Sequence, residues 1–182
     1  MNQHKLDETI SNGEKRYVLD IAARLGYELE LVKHPEGAHT CEERAKVLGV
    51  RIANVVKSIY FSHESEYIGV ICSGDTKRIV PRDIFSAMLG ISRSKANKYL
   101  VRENRMPKGM SYGCCTPFPL ESSLEAEVKN LIFVPSGVEG KVYMPLGEIG
   151  ALTHQVSLAL PSFESIYQIL MHARESMVKR IN

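Results

Sequence analysis

The sequence TCEERAKVLGVRIANVVKSIYF, residues 40–61, carries the signals of a short helix followed by a strand. Thr40 can cap the helix while Glu43, three residues later, reaches back to the Thr40 amide, and together they form a capping box. Gly49 suits the left-handed conformation in which many helices end. We therefore predict a helix that begins after Thr40 and ends at Gly49, with a strand following it.

A β-hairpin is predicted next along the chain. Residues 54–61 and 67–72 are runs of apolar, β-branched and aromatic side chains, and the polar stretch 62–66 separates them. Two such runs joined by a polar segment are typical of antiparallel strands with a longer loop. Residues 77–80 are predicted as a third short strand.

Helices and short strands flank the hairpin on both sides. Apolar spacing predicts a helix at 14–25, one from Pro81 to Gly90, and a last one capped by Ser162. Short strands grouped in two sets, with helices before, between and after them, indicate an α+β fold around a mixed, mostly antiparallel sheet. We predict one domain at 14–182, preceded by a flexible arm at 1–13. The remaining strands are predicted at 27–32, 131–134, 142–144 and 156–160.

The composition is that of an ordinary soluble globular protein. The chain has 182 residues, of which 44% are apolar, enough to bury one sizeable core. No apolar run approaches the roughly 18 residues that cross a bilayer, and the start lacks the apolar stretch of a signal peptide, so we expect a cytoplasmic protein. The net charge is only +2. Any surface that binds nucleic acid must therefore be local.

Four cysteines are present, at positions 41, 72, 114 and 115. They form no CxxC pair, and no histidine is spaced beside them as in a zinc site. We expect free thiols in a reducing compartment, and we expect neither a metal nor another cofactor.

Lys57 is expected to lie among apolar neighbours. Alternate residues of a strand share a face, so Lys57 points the same way as Val55, Ile59 and Phe61. A lysine in such surroundings extends its ammonium to the rim, pairs with an acid, or lines a cavity that an anionic ligand enters. The sequence alone leaves these three interpretations open.

A second candidate element is the loop Gly113-Cys114-Cys115-Thr116-Pro117. Its glycine permits a turn that other residues adopt only at a cost, and its proline stiffens the exit. Such a loop can direct several amide N–H groups at one point, as an oxyanion hole requires. An ordinary turn has the same spacing, so this interpretation also stays open.

The segment 92–108 is the one concentrated basic stretch. It has a single acid, Glu103, and it is either a surface for nucleic-acid phosphates or a solvated helix face. The proposed phosphate contacts are Arg93, Lys95, Lys98, Arg102 and Arg105.

Taken together, these residues resemble the YbaK and prolyl-tRNA-synthetase insertion-domain family of aminoacyl-tRNA deacylases. The similarity runs from about Gly26 to Leu170. It rests on His34-Pro35, the stretch 40–50, Val55-Val56-Lys57-Ser58, the loop 113–118, Ser136-Gly137, and the closing strand and helix.

The resemblance implies a curved, partly barrel-like sheet flanked by helices, and hydrolysis of wrongly attached small amino acids from tRNA, often tRNA(Pro). The family's essential lysine falls on Lys57, its loop glycine on Gly113, and a small polar residue before a glycine on Ser136. The loop departs from the family pattern in having Cys114 and Cys115 where a glycine and a small apolar residue are usual. A further departure is Pro119 in place of a glycine.

In the hypothesis that follows, amides of the loop Gly113, Cys114, Cys115 and Thr116 hold the oxyanion formed during ester hydrolysis. Lys57 anchors a terminal phosphate or the ribose, with general-base catalysis as an open alternative, and water is the nucleophile. Because no Cys/His/Asp grouping is evident in the sequence, a thiol nucleophile is the less favoured alternative. The candidate substrate-binding residues are His39, Thr40, Pro117, Ser136, Gly137 and His154, of which the two histidines have a surface location as their alternative.

The expected partners are the acceptor end of an aminoacyl-tRNA and an aminoacyl-tRNA synthetase, with neither a membrane nor DNA. Two rival functions remain. One is a catalytically silent module of the same fold that binds tRNA or a nucleotide or docks on a synthetase. The other is a protein-interaction domain that ignores RNA.

Overall fold

The computed structural model describes residues 13–63, 66–77, 81–99, 106–107, 109–118, 128–147, 154–174 and 178–180. These residues form a mixed α+β domain, which confirms the predicted fold class. None of the helices in this part of the chain combines the length and the apolar composition that a bilayer crossing needs.

Five α-helices and one 3₁₀ turn are found in the described residues. The 3₁₀ turn, Ile52–Asn54, leads from the second helix into the first long strand. The helices are α1 (Gly13–Arg24), α2 (Cys41–Leu48), α3 (Pro81–Leu89), α4 (Arg93–Tyr99) and α5 (Phe163–Arg174).

The described strands form two sheets, one of three strands and one of four. The first is antiparallel, in the order β1-β6-β5, and the second is mixed, in the order β2-β3-β4-β7. The strands are β1 (Glu30–Lys33), β2 (Val56–His63), β3 (Glu66–Ser73), β4 (Val128–Phe133), β5 (Val142–Met144), β6 (Val156–Leu160) and β7 (Val178–Arg180).

One parallel bridge, between Val55 and Tyr143, connects the two sheets. It lies directly before β2, so the start of β2 is fixed against both sheets. The described strands do not close into a barrel.

The capping box of α2 is present as the sequence predicts. The Glu43 amide donates to Thr40 Oγ1 over 3.1 Å, and Glu43 Oε2 accepts from the Thr40 amide over 3.3 Å and from the His39 amide over 2.8 Å. Gly49 ends the helix in the left-handed conformation with φ 66°. These bonds satisfy the first amides of α2 and fix the direction in which the chain enters it.

Alternating residues of the mixed sheet enter two separate apolar clusters. Val56 and Tyr60 join the main core together with side chains of α1 and α5, the three-stranded sheet and β4. Phe61 joins a second cluster with Phe85 of α3 and Ala96 of α4, against which Ile59 packs. The predicted alternation of Ile59 and Phe61 with Val56 and Tyr60 is thus confirmed.

Most predicted elements appear where the sequence placed them. The hairpin is β2–β3, and β5 and β6 have the predicted bounds. β4 begins at Val128, three residues before its predicted start, and β7 was not predicted. The predicted strand at 77–80 and the arm at 1–13 fall almost entirely outside the described residues, while Gly13 already belongs to α1.

Candidate active site

A cleft of about 820 Å³ opens among the start of α2, the first half of β2 and the loop around Gly113. Its volume lies within the range of roughly 300–1,000 Å³ that is usual for small-molecule sites. Five residues predicted from the sequence line it together: Lys57, Gly113, Cys115, His39 and Thr40.

Lys57 is half-buried on the wall of this cleft. Its Nζ donates to the Thr76 carbonyl over 2.7 Å and to the Gly74 carbonyl over 3.4 Å. Among the described residues, no carboxylate forms an ion pair with it. The ammonium is therefore held by one backbone turn at the wall of the cleft, and the entry of an anionic ligand there stays a prediction.

The loop glycine, Gly113, packs directly against the entry to α2. Its φ is 79°, and a Cβ built on it would lie 2.5 Å from the carbonyl oxygen of His39 and 2.6 Å from His39 Cα. No side chain fits there, because real Cβ atoms do not approach other atoms so closely. Glycine is thus required both by the backbone conformation and by the contact.

The loop begins with a type II turn. The Cys114 amide donates to the Ser111 carbonyl over 2.9 Å, and Gly113 occupies the position that needs positive φ. Because this amide is engaged inside the turn, it is not a donor toward a ligand. Thr116 is fully buried, and its carbonyl accepts from Tyr60 Oη over 2.7 Å. Thr116 Oγ1 accepts from the Phe118 amide over 3.3 Å.

Arg44 also lines the cleft, although it was not among the site residues predicted from the sequence. Its side chain is buried and contacts three segments around the cleft. Nη2 donates to the Ala38 carbonyl over 2.9 Å and to the Gly113 carbonyl over 3.2 Å. Nη1 donates to Ser157 Oγ over 2.6 Å and to the Val156 carbonyl over 3.3 Å. One guanidinium thus joins the loop, β6 and the approach to α2.

Helical periodicity could have identified Arg44. Positions 41, 44, 45 and 48 follow the i, i+3, i+4, i+7 pattern, so Arg44 falls in the inward stripe of α2. Burial lowers the pKa of Arg44 below its usual value, although the nearby thiols of Cys114 and Cys41 partly oppose this. A guanidinium stays charged even so.

His34 extends the network of Arg44. Its Nδ1 lies 2.7 Å from the Glu36 carbonyl and its Nε2 lies 3.3 Å from Ser157 Oγ, which also accepts from Arg44. A carbonyl needs a donor, so Nδ1 carries the proton and Nε2 accepts from the serine hydroxyl. Burial, reinforced by the charge of Arg44, lowers the pKa of His34, while the bond to Glu36 opposes this.

The structure brings together a thiol and two imidazoles that the sequence did not group. His154 Nδ1 lies 3.0 Å from Cys114 Sγ, and the His39 and His154 rings contact each other with centroids 3.9 Å apart. Cys114 is fully buried, so an ester substrate cannot reach its sulfur. This pair therefore supports the loop and does not offer a nucleophile.

The other two cysteines surround Lys57. Cys41 lines the cleft, and burial raises its pKa even though Lys57 opposes the shift. Burial raises the pKa of Cys72 to about 11. Both thiols are protonated near neutral pH, and none of the four cysteines forms a disulfide, as the sequence predicts.

Ser58, next to Lys57, also lines the cleft. Its buried hydroxyl has no hydrogen-bond partner within the part of the chain that the structure describes. Buried hydroxyl groups are normally paired, so this oxygen marks a polar point at the cleft wall.

The remaining predicted residues lie elsewhere. Ser136 and Gly137 follow β4 and are not among the described residues that line the cleft, and Ser136 Oγ accepts from the Val138 amide over 3.3 Å. Pro117 is buried. Arg93, Lys95 and Lys98 are exposed on α4, and Arg102 and Arg105 lie outside the described residues. No cluster of three or more potential metal ligands occurs in the described ranges.

No protein-family model and no curated protein matches the chain. It is similar in structure to the hypothetical protein APE2540, with a TM-score of 0.58 and 20% identity over 89% of this chain and 96% of that one. A scaffold protein from computational epitope grafting matches with a TM-score of 0.56 and 15% identity over 93% and 97%. A protein described as a "putative trans-editing enzyme for prolyl tRNA synthetase" matches with a TM-score of 0.50 and 15% identity over 93% and 96%.

At these identities the likeness concerns the fold alone. The α+β arrangement of two small sheets and flanking helices is consistent with a YbaK-like fold.

Proposed function

We propose that this protein is an aminoacyl-tRNA deacylase that hydrolyses the ester between a wrongly attached small amino acid and tRNA, with tRNA(Pro) as the carrier. The observation that carries the proposal is the convergence of Lys57, the Gly113 loop and the capped start of α2 on one cleft of about 820 Å³. The trans-editing description of one structural neighbour points the same way.

In the proposed reaction, the oxygen of a water molecule adds to the ester carbonyl and forms a tetrahedral oxyanion. The oxyanion collapses to the free amino acid as the bond to the ribose oxygen breaks, and the proton given up by the water passes to that ribose oxygen. Of the 113–116 loop, Gly113 and Cys115 line the cleft, and their amides stabilise the oxyanion. Removing one such donor from a comparable site costs about a hundredfold to a thousandfold in rate. The rigid attachment of Gly113 to His39 and Arg44 supports this role, because preorganised donors need not reorient during the reaction.

Lys57 binds the terminal phosphate or the ribose. Its ammonium has three N–H donors, of which the carbonyls of Gly74 and Thr76 take two. The third is available to a ligand oxygen. Cys41 and Cys115, which share the cleft wall, limit the size of the amino acid.

The substrate-binding residues divide into two groups. His39 and Thr40 contact the substrate directly from the cleft wall. His154 acts through its ring contact with His39. We retain Pro117, Ser136 and Gly137 as sequence-based candidates only.

The acceptor stem lies across α4. This helix presents Arg93, Lys95 and Lys98 to solvent and packs on the face of β2 that also carries Lys57, through Ala96 and Phe61. Arg93 forms an exposed contact of 3.5 Å with Asp83, which is worth little and does not prevent phosphate binding. Arg102 and Arg105 are the further phosphate contacts that the sequence predicts. The partner is the acceptor end of a charged tRNA, together with a synthetase that supplies it.

The test is the release of amino acid from tRNA(Pro) charged with alanine, cysteine or serine. We expect release by the wild type and its loss in Lys57→Ala, with an unchanged circular dichroism spectrum because Lys57 is only half-buried. Unchanged turnover in Lys57→Ala would contradict the role of this residue. Cys114→Ala should reduce activity only mildly. Complete loss of activity in this variant would support the alternative mechanism in which a thiol is the nucleophile.

A catalytically silent tRNA-binding module is the second candidate. The engagement of the Cys114 amide in the turn favours it, since the loop then has fewer amides for an oxyanion. Salt-dependent tRNA binding without any release of amino acid would support this candidate over the deacylase.

A further inference from the structure

The described residues include only two large apolar side chains that are exposed, and both lie at the cleft. Tyr112 is 67% exposed and Met106 is 37% exposed. Both line the cavity that also contains Lys57. Two exposed apolar side chains at one cleft offer a ligand an apolar surface on which it can pack.

The position of Tyr112 is fixed by the backbone beneath it. The ring extends from the second position of the type II turn, which tolerates most residues and does not require an aromatic one. The next residue, Gly113, packs on His39, and its carbonyl accepts from the buried Arg44. The exposed ring is thus carried by a rigid turn and not by a loose one.

Met106 is held beside the same loop. Its Sδ lies 3.7 Å from the thiol of Cys115, which also lines the cleft. A thioether is polarizable and adapts its shape to flat apolar partners. The rim therefore offers one rigid aromatic surface and one adaptable apolar surface, with the cationic Lys57 further along the wall.

We propose that Tyr112, flanked by Met106, is a stacking platform for the terminal adenine of the acceptor end. The inference rests on the proposed deacylase function and deepens it by assigning a subsite for the base. The base and the ester are carried by the same ribose, so an ester held near the Gly113 loop brings its base to the rim of the cleft. A planar π-surface attracts a base by stacking, whatever the identity of the base.

The first test is binding of the trinucleotide CCA, without an amino acid, measured by isothermal titration calorimetry. We expect Tyr112→Ala to weaken binding about tenfold to a hundredfold, and Tyr112→Phe to bind within about twofold of the wild type because the ring is kept. Met106→Ala should weaken binding to a smaller extent. His172→Ala, an exposed ring on α5 away from the cleft lining, is the matched control and should bind as the wild type does.

The second test is hydrolysis of two esters, alanyl-adenosine and an alanyl ester of a ribose analogue that lacks the base. Tyr112→Ala should raise KM for the first ester with little change in kcat, and should leave hydrolysis of the second unchanged.

Equal CCA binding by the wild type and Tyr112→Ala would overturn the platform, even if the protein releases amino acids from tRNA. If Tyr112→Ala weakens CCA binding but neither the wild type nor any variant hydrolyses an ester, the platform would be supported and the proposed deacylase function would be overturned. Absence of CCA binding by the wild type would overturn the platform as well.

Discussion

Arg44 and Lys57 line the same cleft, and both are held by backbone carbonyl groups. Among the described residues, no carboxylate forms an ion pair with either. Arg44 is buried, and its donors reach acceptors in three segments. Lys57 is half-buried, and its ammonium reaches a single turn at Gly74 and Thr76.

The difference shows how one kind of charge can serve two purposes in one site. The guanidinium of Arg44 uses its donors inside the protein and so joins the loop, β6 and the approach to α2. The ammonium of Lys57 keeps a donor and a charge for the cleft. Arg44 and Lys57 have the same sign of charge but differ in burial and in the number of acceptors that they reach. These two properties indicate a structural role for Arg44 and make Lys57 the candidate for ligand binding.

The strongest test of this contrast replaces each cation by methionine. Arg44→Met leaves buried acceptors unpaired, so we expect the free energy of unfolding to fall by about 2–4 kcal/mol. Lys57→Met should change it by less than about 1 kcal/mol. Urea unfolding followed by circular dichroism measures both values.

Arg44→Lys serves as the charge-preserving control. One ammonium cannot reach acceptors in three segments, so this variant should recover only part of the lost stability. Full recovery would mean that charge alone, and not the arrangement of donors, accounts for Arg44. If Arg44→Met and Lys57→Met lowered the free energy of unfolding equally, the proposed difference between the two cations would be wrong.

The second test concerns the loop that Arg44 holds. Gly113→Ala combines positive φ with a collision against His39, so we expect a loss of about 2–3 kcal/mol in unfolding free energy and a large loss of deacylation. Both are measured on the same preparation, by urea unfolding and by amino-acid release.

Two other glycines distinguish the effect of positive φ from the effect of the contact with His39. Gly49→Ala has positive φ but no atom within 4 Å of the new Cβ, and it should cost about 1 kcal/mol. Gly137→Ala has neither problem and should be neutral within about 0.5 kcal/mol. If Gly113→Ala lowered the free energy of unfolding no more than Gly49→Ala does, the loop would not pack tightly against His39.

The smallest expected effect is a pH dependence of the stability, and it comes from His34, which lies beside Arg44. Because the pKa of His34 is lowered in the folded protein, the unfolded chain takes up the proton first as the pH falls. Stability contributed by His34 is therefore present above its ordinary pKa of about 6.5 and declines below that value.

His34→Asn isolates this contribution from the other histidines. An asparagine amide can still donate to the Glu36 carbonyl but does not titrate. We expect a shallower fall in the urea midpoint of His34→Asn between about pH 7.5 and 5 than in the wild type. An identical fall in both proteins would show that His34 is not linked to folding in this range.

Local signals explain why much of the fold was predictable. The capping box at Thr40 and the alternation along β2 depend on neighbouring residues alone, and both appear as expected. Which strands share a sheet, and the bridge between Val55 and Tyr143 that connects the two sheets, depend on residues far apart in sequence, which no local pattern encodes. β7 has only three residues, too few to show a period.

The site was predictable only in part, for a related reason. Lys57 could be identified because a lysine is unusual among the apolar residues of its strand. Gly113 could be identified because glycine permits a backbone conformation that other residues rarely adopt. The pairing of Cys114 with His154 joins residues far apart in sequence and follows only from the fold. Tyr112 is conspicuous by its exposure, a property that its neighbours in the sequence do not determine.

The pairing of β1 with β6 has a consequence for biosynthesis. Arg44 obtains two of its acceptors, Val156 and Ser157, from a strand that is translated much later. At about 5–20 residues per second, Arg44 is synthesised on the order of ten seconds before these two acceptors, and water binds its guanidinium until they arrive. A ribosome-bound fragment that ends before β6 therefore lacks the hydrogen bonds that tie α2 to this strand.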